Sequence, residues 1–310
     1  MEEKLEIMNL LQNKQLLENE LKSLAYGSVE IRENESNKYI YVHYREDGVA
    51  LTKYVGEYSN ELYNLVLNNS IKAKELKKQI REINKKLKQL NYIEEDLSEK
   101  VEQNIDFAKR HLVDTIYKQA ILEGVATTFA DTESIIEGGK VNNMTSEDIM
   151  KIVNLKHAWE FILNKNVILS NTNFTLLCEI NKMVEEGFYY SAGKVRNVPV
   201  TIGGTTWKPN LPIESVIKEE LEKIFNDEMD DIDRAIELLL YTMKKQVFID
   251  GNKRTSVIFC NHYLISKGKG IISIPAELTA KFKDLLISYY EGKNEKQIKK
   301  FIKEKCYMCI

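Results

Sequence analysis

The sequence predicts a mainly α-helical protein, and three observations carry that prediction. Only 4 of the 310 residues are proline and 14 are glycine, so few residues interrupt helices. Leu, Ile, Lys and Glu are abundant, and apolar residues recur at helical spacing through most of the chain. Sequence rich in β-branched residues is confined to 28–54 and 197–209, so we expect helices that carry two small β elements.

Residues 1–98 are predicted to form an N-terminal module of helix, small sheet and long helix. Leucines recur on one stripe over 2–25, which predicts the first helix. The stretch 28–54 contains β-rich segments around a turn at 46–48, which predicts an antiparallel sheet of two or three strands. A long helix follows over 59–92.

The long predicted helix carries a heptad pattern, which is typical of a coiled-coil seam. This seam can pack on the first helix as an antiparallel hairpin or on a second copy of the protein, so the module is expected to serve interaction or oligomerisation, with a homodimer through the N-terminal helices as one form. Residues 72–88 carry eight Lys or Arg and two Glu, which indicates either a solvated helix face or a basic surface for an acidic partner. An acidic run at 94–96 marks the expected boundary. The seam consists of Leu62, Val66, Leu76, Ile80, Ile83, Leu87 and Leu90.

Residues 99–310 are predicted to form a second, compact helical domain. The stretch 197–209 departs from the helical pattern because it is β-branched around Gly203-Gly204, which predicts a short β-hairpin inserted among helices. Helical patterns cover about 105–124, 147–164, 171–186, 213–226, 232–246, 253–267, 276–290 and 295–304.

Charge and hydropathy limit the classes of partner. The 44 Lys and Arg nearly balance the 47 Asp and Glu, for a net charge of −3, so nucleic acid is an unlikely partner. No apolar run reaches the roughly 20 residues that a membrane helix needs, and no signal peptide is recognised, so no membrane contact and a cytoplasmic location are expected. Cys306 and Cys309 have the spacing of half a zinc site or a redox pair, but nothing in the sequence completes it, and a chance pairing is the simpler interpretation.

One polar run between two apolar helical patterns contains the residues suited to binding a ligand. It reads Phe-Ile-Asp-Gly-Asn-Lys-Arg over 248–254. The free amides at the start of the second helix form an anion site, and Gly251 lets backbone approach a ligand closely. Lys253 and Arg254 add positive charge, and the carboxylate of Asp250 suits Mg²⁺ bridging to phosphate. The residues alone leave two interpretations open: a magnesium–phosphate pocket, or a helix–turn–helix corner capped by Asp and Asn.

This run resembles the signature of the Fic/Doc (Fido) family, His-x-Phe-x-Asp/Glu-Gly-Asn-Gly/Lys-Arg, at six positions. Two further segments resemble family features: 191–196 with the hairpin that follows resembles the flap, and 134–138 resembles the inhibitory motif Ser/Thr-x-x-x-Glu-Gly/Asn. The three features occur in the family's order and cover roughly 100–310, so the resemblance implies a Fido-type helical bundle with a β-hairpin flap. The six matching positions are Phe248, Asp250, Gly251, Asn252, Lys253 and Arg254.

The resemblance also implies residue roles. Asp250 would hold Mg²⁺, residues 251–254 would cradle the phosphates of ATP or another nucleoside triphosphate, and Phe248 would belong to the catalytic motif. Glu137 would be the inhibitory glutamate. Family enzymes mostly transfer AMP to a Ser, Thr or Tyr hydroxyl of a protein, and some relatives with the Asn-Lys-Arg variant transfer phosphate. The flap would pair as a strand with the target protein; its residues are Thr201, Ile202, Gly203, Gly204 and Thr205.

The sequence departs from the family pattern at the catalytic position. Gln246 stands where the family has the histidine that accepts the hydroxyl proton, and a carboxamide cannot act as a general base near neutral pH. Loss of a general base typically costs about 10²–10⁴ in rate. Val257 stands where many members carry a second arginine, so Glu137 lacks that partner, and the position four before Glu137 is Glu133 rather than Ser or Thr.

Three hypotheses for the function follow from the sequence. The first is a transferase that moves AMP or another nucleotide-derived group to a protein hydroxyl by positioning and electrostatics, with Gln246 orienting the acceptor. The second is a catalytically inactive nucleotide-binding or phosphate-binding regulatory module, a pseudoenzyme. The third is a helical scaffold whose function lies in the heptad seam. The joint presence of Asp250, Asn252, Lys253 and Arg254 favours the first two.

Overall fold

The computed structural model describes residues 2–34, 37–46, 49–90, 92, 97–142 and 144–310. The chain divides into two compact units, 1–93 and 94–310. The predicted turn at 46–48 falls mostly, and the predicted acidic boundary at 94–96 entirely, outside the described residues. No helix among the described residues is long and apolar enough to cross a membrane.

The first unit is a helix pair packed with a three-stranded antiparallel sheet. Its core joins the inner face of the sheet to α2 through the buried side chains of Ile40, Val42 and Val66. In chain order the elements are α1 (Glu2–Ser23), β1 (Ser28–Asn34), β2 (Asn37–Glu46), β3 (Val49–Glu57) and α2 (Asn60–Gln89), with strand order β1-β2-β3.

The heptad seam of α2 packs within the chain. α1 and α2 run antiparallel, since Lys72 pairs with Glu20 at 2.5 Å while Leu17 lies beside Ile83. Three side chains of the seam, Val66, Leu76 and Leu87, are buried, and so is Ala73 of the same helix. Of the two arrangements that the heptad pattern allows, the intrachain hairpin is therefore present. The homodimer stays a prediction.

The second unit is a helical bundle around one central helix, which confirms the mainly α fold. Nearly every side chain of that helix, α11, is buried, as expected for a helix surrounded by others. The helices are α3 (Glu99–Arg110), α4 (Leu112–Leu122), α5 (Phe129–Ile136), α6 (Ser146–Ile162), α7 (Lys165–Ile168), α8 (Phe174–Val184), α9 (Glu214–Asn226), α10 (Asp231–Lys245), α11 (Asn252–Ser266), α12 (Thr279–Tyr290) and α13 (Glu295–Lys305); a 3-10 turn (Ala276–Leu278) and a small antiparallel pair, β4 (Ile271–Ile272) and β5 (Tyr307–Met308), complete the unit.

Polar side chains inside the bundle are hydrogen-bonded to backbone. Asn261 of α11 exchanges two hydrogen bonds with the backbone of Ile272. His262 contacts the Thr172 hydroxyl at 2.8 Å and the Val167 carbonyl at 2.9 Å, and complete burial lowers its pKa to about 4. His262 is therefore a structural residue of the core.

The predicted β-hairpin at 197–209 differs in detail from the structure. The segment turns at Gly203-Gly204, but its two arms form no strand ladder in this fully described stretch. The Arg196 guanidinium lies between the arms instead, and donates to the carbonyls of Val198 at 2.8 Å and Asn210 at 2.7 Å. A side chain thus replaces the backbone pairing that the β-branched sequence predicts.

Candidate functional site

The predicted loop joins α10 to α11 through two left-handed residues. Gln246 ends α10 at φ 47° and ψ 61°, and Gly251 begins α11 at φ 71°. Left-handed backbone is uncommon and strained for a residue with a side chain, whereas glycine adopts it freely. The chain therefore reverses within five residues, 247–251, and places the first turn of α11 beside the end of α10.

Asparagine side chains fix the shape of this loop. Asn252 accepts from the Phe248 N–H at 2.9 Å and donates to the Phe248 carbonyl at 2.8 Å, which closes the loop on itself. Asn181 of α8 donates to the Asp250 carbonyl and to the Thr255 hydroxyl, each at 3.1 Å. The backbone is thus held while the Asp250 carboxylate stays about half exposed.

Arg254 is the most deeply buried charge of the loop, and its side chain is 3% exposed. Its Nη2 lies 2.7 Å from Oε1 of Glu185, the residue that ends α8. Its Nε lies 3.8 Å from Glu123 and its Nη2 lies 3.9 Å from Asp250. The Nε and Nη1 groups are buried without a hydrogen bond. The guanidinium is therefore oriented by one carboxylate and has donors left for another acceptor.

Glu185 lies behind the loop and is shielded from solvent. Burial, helped by the negative charges of Asp250 and Glu123, raises the pKa of its carboxyl to about 7 against the opposing attraction of Arg254. The carboxylate also lies where a Cβ at position 251 would point, so a side chain at that position would require the Glu185 side chain to move. Sequence analysis did not single out Glu185 as a site residue.

Glu123, rather than the predicted Glu137, lies against the loop. Its carboxylate is 3.2 Å from the Lys253 ammonium and its side chain is 12% exposed. Glu137 is exposed and ends α5. Glu123 is followed by Gly124, so the Glu-Gly pair of the inhibitory pattern is present here as well, with Gln119 at the position of Ser or Thr.

Gln246 uses its carboxamide to satisfy backbone. Its Nε2 donates to the Met243 carbonyl of α10 at 2.6 Å, while the backbone carbonyl of Gln246 accepts from Arg196 Nε at 2.6 Å. It also hydrogen-bonds the Tyr290 hydroxyl, whose pKa is raised well above its ordinary value by burial and by the Glu123 charge. These hydrogen bonds hold the Gln246 side chain in place. The raised pKa keeps the Tyr290 hydroxyl protonated, so this neighbour does not serve as a general base.

The flap turn is fastened to the end of α12. The Thr205 hydroxyl donates to Glu291 at 2.8 Å, and the Trp207 ring stacks on Tyr290 with centroids 5.4 Å apart. Trp207 therefore packs against protein rather than facing a ligand. Arg196 joins this segment to the loop through the Val247 carbonyl, which accepts from the Arg196 N–H at 3.0 Å.

A cavity of about 330 Å³ opens between the flap, the loop and α12. Its size falls at the lower end of the range for small-ligand pockets. Charged side chains, among them Asp250, Lys253 and Lys283, line it together with apolar side chains of the flap and α12. Of the predicted site residues, the lining includes Thr201, Ile202, Gly203, Gln246, Asp250, Asn252 and Lys253. The other predicted site residues do not line it: Gly204, Thr205, Phe248, Gly251, Arg254 and Glu137.

Metal-ligating side chains are sparse at the site. Among the described residues, no group of three or more His, Cys, Asp or Glu side chains is placed to hold a metal. A magnesium ion bound with a nucleotide needs only one or two carboxylates, because phosphate and water supply the other oxygens. The exposed carboxylate of Asp250 fits that requirement. Cys306 is buried and Cys309 exposed, both as free thiols.

Comparison with known proteins points to one family. The Fic/DOC family model matches residues 171–264, which include the loop, Glu185 and α11 as far as Leu264. None of the curated proteins matches the sequence.

Three solved structures share the fold. Fic-1 (residues 134–508) from C. elegans is 17% identical over 76% of this chain and 72% of that chain, with a TM-score of 0.52. A Fic family protein from Desulfovibrio desulfuricans is 12% identical over 68% and 73%, with a TM-score of 0.52. A Fic domain-containing signaling protein from Bacteroides thetaiotaomicron is 17% identical over 62% and 76%, with a TM-score of 0.50. At such identities the likeness concerns the fold.

Proposed function

We propose, from the premise that this chain is a Fic/Fido protein, that the loop 248–254 binds the phosphates of a nucleoside triphosphate such as ATP together with Mg²⁺. The observation that carries the proposal is the state of Arg254. Its guanidinium is almost fully buried, yet Nε and Nη1 have no hydrogen bond. A buried donor without a partner costs about 1–3 kcal/mol, and more when it is charged. A phosphate oxygen is the acceptor that a guanidinium suits best.

Other groups of the loop fit the same ligand. The first turn of α11 presents N–H groups that have no acceptor within the helix, and the positive end of the helix dipole points the same way. Lys253 adds a charge at the rim of the cavity. Bound Mg²⁺ would neutralise and orient phosphate oxygens, and Asp250 would hold it.

The reaction we propose is transfer of AMP, or of another nucleotide-derived group, to a hydroxyl of a target protein. In the AMP case the hydroxyl oxygen bonds to the α-phosphorus, the bond to pyrophosphate breaks, and the hydroxyl proton passes to solvent or pyrophosphate. The flap 201–205 would hold the target segment. Gln246 would contribute by position, since its carboxamide is held by the Met243 carbonyl and has no useful basicity.

A catalytically inactive nucleotide-binding module is the second candidate, and Gln246 is the observation that favours it. Its side chain caps α10 and contacts Tyr290, so the family's histidine position serves structure here. A third candidate, a helical scaffold, is favoured by the hairpin of the first unit. The unpartnered donors of Arg254 favour the two nucleotide-binding candidates over the scaffold.

Nucleotide-dependent thermal stabilisation tests the binding step. The melting temperature should rise with ATP and Mg²⁺, and the rise should be lost with EDTA, in Asp250→Ala and in Lys253→Ala. Lys305→Ala removes an exposed charge at the end of α13 and should respond as the unaltered protein does. Equal shifts in all variants, or no shift in any, would contradict nucleotide binding at this loop.

Mass spectrometry separates the transferase from the inactive module. The protein would be incubated with Mg²⁺ and each nucleoside triphosphate, alone and with cell extract, beside Gln246→His. Adducts formed by the unaltered protein support the transferase. Adducts formed only by Gln246→His support the inactive module with an intact pocket. A melting shift without adducts in either protein limits the proposal to binding.

A further inference from the structure

A second cavity, of about 650 Å³, lies within the first unit, between α1, the sheet and α2. Four cationic side chains line it: Lys22, Lys53, Lys77 and Arg81. Of the carboxylates that the structure describes, only Glu18 joins them, and Glu18 already lies 3.9 Å from Lys14 outside the cavity. Among the described side chains, none of the four cations forms an ion pair.

The cations surround an apolar and aromatic floor. Val42 is fully buried and Leu24 half-buried at the cavity wall. The rings of Tyr26 and Tyr44 pack together with centroids 5.8 Å apart. Lys77 places its ammonium 4.6 Å from the centre of the Tyr26 ring, so this lysine is held at the cavity without a carboxylate. The surface therefore offers burial to an apolar group and opposite charge to acidic groups around it.

Backbone groups of α2 and the sheet are not available to a ligand in this cavity. Lys77 and Arg81 belong to the middle of α2, where each N–H is bonded within the helix. The strand residues at the cavity are paired in the ladder, Val42 with Lys53 and Tyr44 with Leu51. Phosphate sites commonly rely on free backbone N–H groups at helix N-termini or nests. From α2 and the sheet, therefore, side chains are the groups that reach this cavity, and most of its cations are flexible lysines, which tolerate carboxylates in varied positions.

Charge on the rest of α2 points the same way. Residues 72–88 carry eight cations and two carboxylates in a chain whose net charge is −3. A local excess of one sign on a helix attracts oppositely charged partners and raises their rate of association. The basic stretch thus continues the cationic rim of the cavity along the helix.

We infer that this cavity binds an acidic peptide segment of a partner protein, with one large apolar or aromatic side chain inserted between α1 and the sheet and with Asp or Glu side chains on the cationic rim. The site lies wholly within 1–93 and does not rest on nucleotide binding by the second unit. It gives the N-terminal module a recognition role, and the partner is defined by its acidic residues around a single apolar anchor.

Fluorescence anisotropy with the full chain tests the inference. The probe is a fluorescein-labelled peptide of one phenylalanine flanked on each side by three aspartates. Two comparison peptides replace the aspartates with asparagine or the phenylalanine with glycine. The acidic phenylalanine peptide should bind most tightly, and its affinity should fall as salt rises from 50 to 300 mM, by a factor of roughly ten for several ion pairs.

A matched pair of variants locates the binding. Lys77→Gln with Arg81→Gln should weaken binding roughly tenfold, as loss of two ion contacts implies. Lys74→Gln with Lys78→Gln removes the same charge from exposed positions of α2 outside the cavity and should change affinity less than about twofold. Unchanged melting curves would show that both double variants fold.

Three results would overturn the inference. Equal weakening in the two double variants would mean that the helix attracts acidic peptides by charge alone. Equal binding of the asparagine peptide would remove the role of the cations. Displacement of the peptide by ATP at lower concentration than by unlabelled peptide would assign the cavity to phosphate ligands.

Discussion

Glu185 Oε1 lies 2.7 Å from Arg254 Nη2, and the two side chains are only 2% and 3% exposed. The contact joins the end of α8 to the first turn of α11, between residues far apart in sequence. Taking both charges out of water is costly, and the pair offsets that cost only in part, since the pKa of Glu185 is raised and not lowered. The pair therefore serves to orient Arg254 more than to stabilise the fold.

The raised pKa of Glu185 predicts a pH-dependent stability. The carboxyl has a pKa of 4.5 in the unfolded chain and about 7 in the folded one, so between these values the folded protein binds more protons. Its contribution to the free energy of unfolding therefore falls as pH rises from about 4.5 to about 7. The free energy of unfolding of Glu185→Gln should not show this dependence. Across that window it should rise by roughly 3 kcal/mol relative to that of the unaltered protein, for a pKa difference of about 2.5.

Urea denaturation of both proteins at pH 5 and pH 8 measures the change. The absolute stability of Glu185→Gln also reflects the lost partner of Arg254, so the difference between the two pH values is the quantity to compare. Glu186→Gln removes a carboxylate from the exposed neighbouring position and reports the effect of net charge alone. If the free energy of unfolding of Glu185→Gln fell relative to that of the unaltered protein as pH rises, the attraction of Arg254 would outweigh burial.

Glu123 is expected to compete with nucleotide phosphate for the cations of the loop. Its carboxylate lies 3.2 Å from Lys253 and 3.8 Å from Arg254, the groups proposed to bind phosphate. Glu123→Gln should therefore tighten ATP binding, by roughly five- to thirtyfold for a contribution of about 1–2 kcal/mol. Isothermal titration calorimetry with Mg²⁺ and ATP measures this directly.

Glu137→Gln is the matched control for Glu123. Glu137 is exposed at the end of α5, so its neutralisation should leave ATP affinity unchanged within about twofold. The sequence interpretation assigned inhibition to Glu137, and tighter binding in Glu137→Gln alone would restore it. Tighter binding in Glu123→Gln alone would assign the competing carboxylate to α4.

The part of the site that is contiguous in sequence was predictable from sequence. The run 248–254 combines a polar loop, a glycine and two cations between helical patterns, and each residue type carries its own physical reason. The structure places these residues on one loop at the start of α11. Periodicity likewise predicted most of the helices, but not the short α5 and α7, and His111 divides the expected helix 105–124 into α3 and α4.

The residues that support the loop were not predictable in the same way. Glu185, Asn181 and Arg196 reach it from more than 45 positions away. Arg196 ends the segment 191–196 that resembles the flap, but nothing in the local sequence marks any of the three as a contact of the loop. Glu123 did carry a signal, because a Glu-Gly pair occurs at 123–124 as well as at 137–138, but only the packing of α4 decides between them. Long-range polar contacts depend on tertiary packing, which one sequence does not encode locally.

Gly251 should not tolerate a side chain. Alanine there would adopt a left-handed backbone, at about 1–2 kcal/mol, and its Cβ would also collide with the Glu185 carboxylate. Gly251→Ala is therefore expected to lose roughly 2–5 kcal/mol of unfolding free energy, since overpacking adds about 1–3 kcal/mol to the strain. Nucleotide-dependent stabilisation should be lost with it, because Arg254 is displaced.

Gly138→Ala separates the collision from the backbone strain. Gly138 has a φ of 80°, close to that of Gly251, but a Cβ there meets no atom within 4 Å. Gly138→Ala should lose only the unfolding free energy that backbone strain costs, about 1–2 kcal/mol, and should keep the response to ATP. Equal losses in the two variants, measured by urea denaturation, would show that the contact with Glu185 is not tight.

Arg196 is expected to hold the flap closed on the loop. Its guanidinium donates to the carbonyls of Gln246, Val198 and Asn210, and burial lowers its pKa. Lysine keeps the charge but has one ammonium group, which cannot reach three divergent carbonyls. Arg196→Lys should therefore cost roughly 2–4 kcal/mol, because each buried carbonyl left without a donor costs about 1–3 kcal/mol.

Limited proteolysis distinguishes a local opening of the flap from a general loss of stability. Chymotrypsin should cut after Trp207 faster in Arg196→Lys, because the arms of the flap separate more often. Arg234 is the matched control, since its guanidinium also donates to three carbonyls, that of Ile224 in α9 and those of Asp227 and Met229 between α9 and α10. Arg234→Lys should lose comparable stability without faster cleavage at Trp207. Equally fast cleavage in both variants, at matched stability, would mean that global unfolding exposes the site and that Arg196 has no specific hold on the flap.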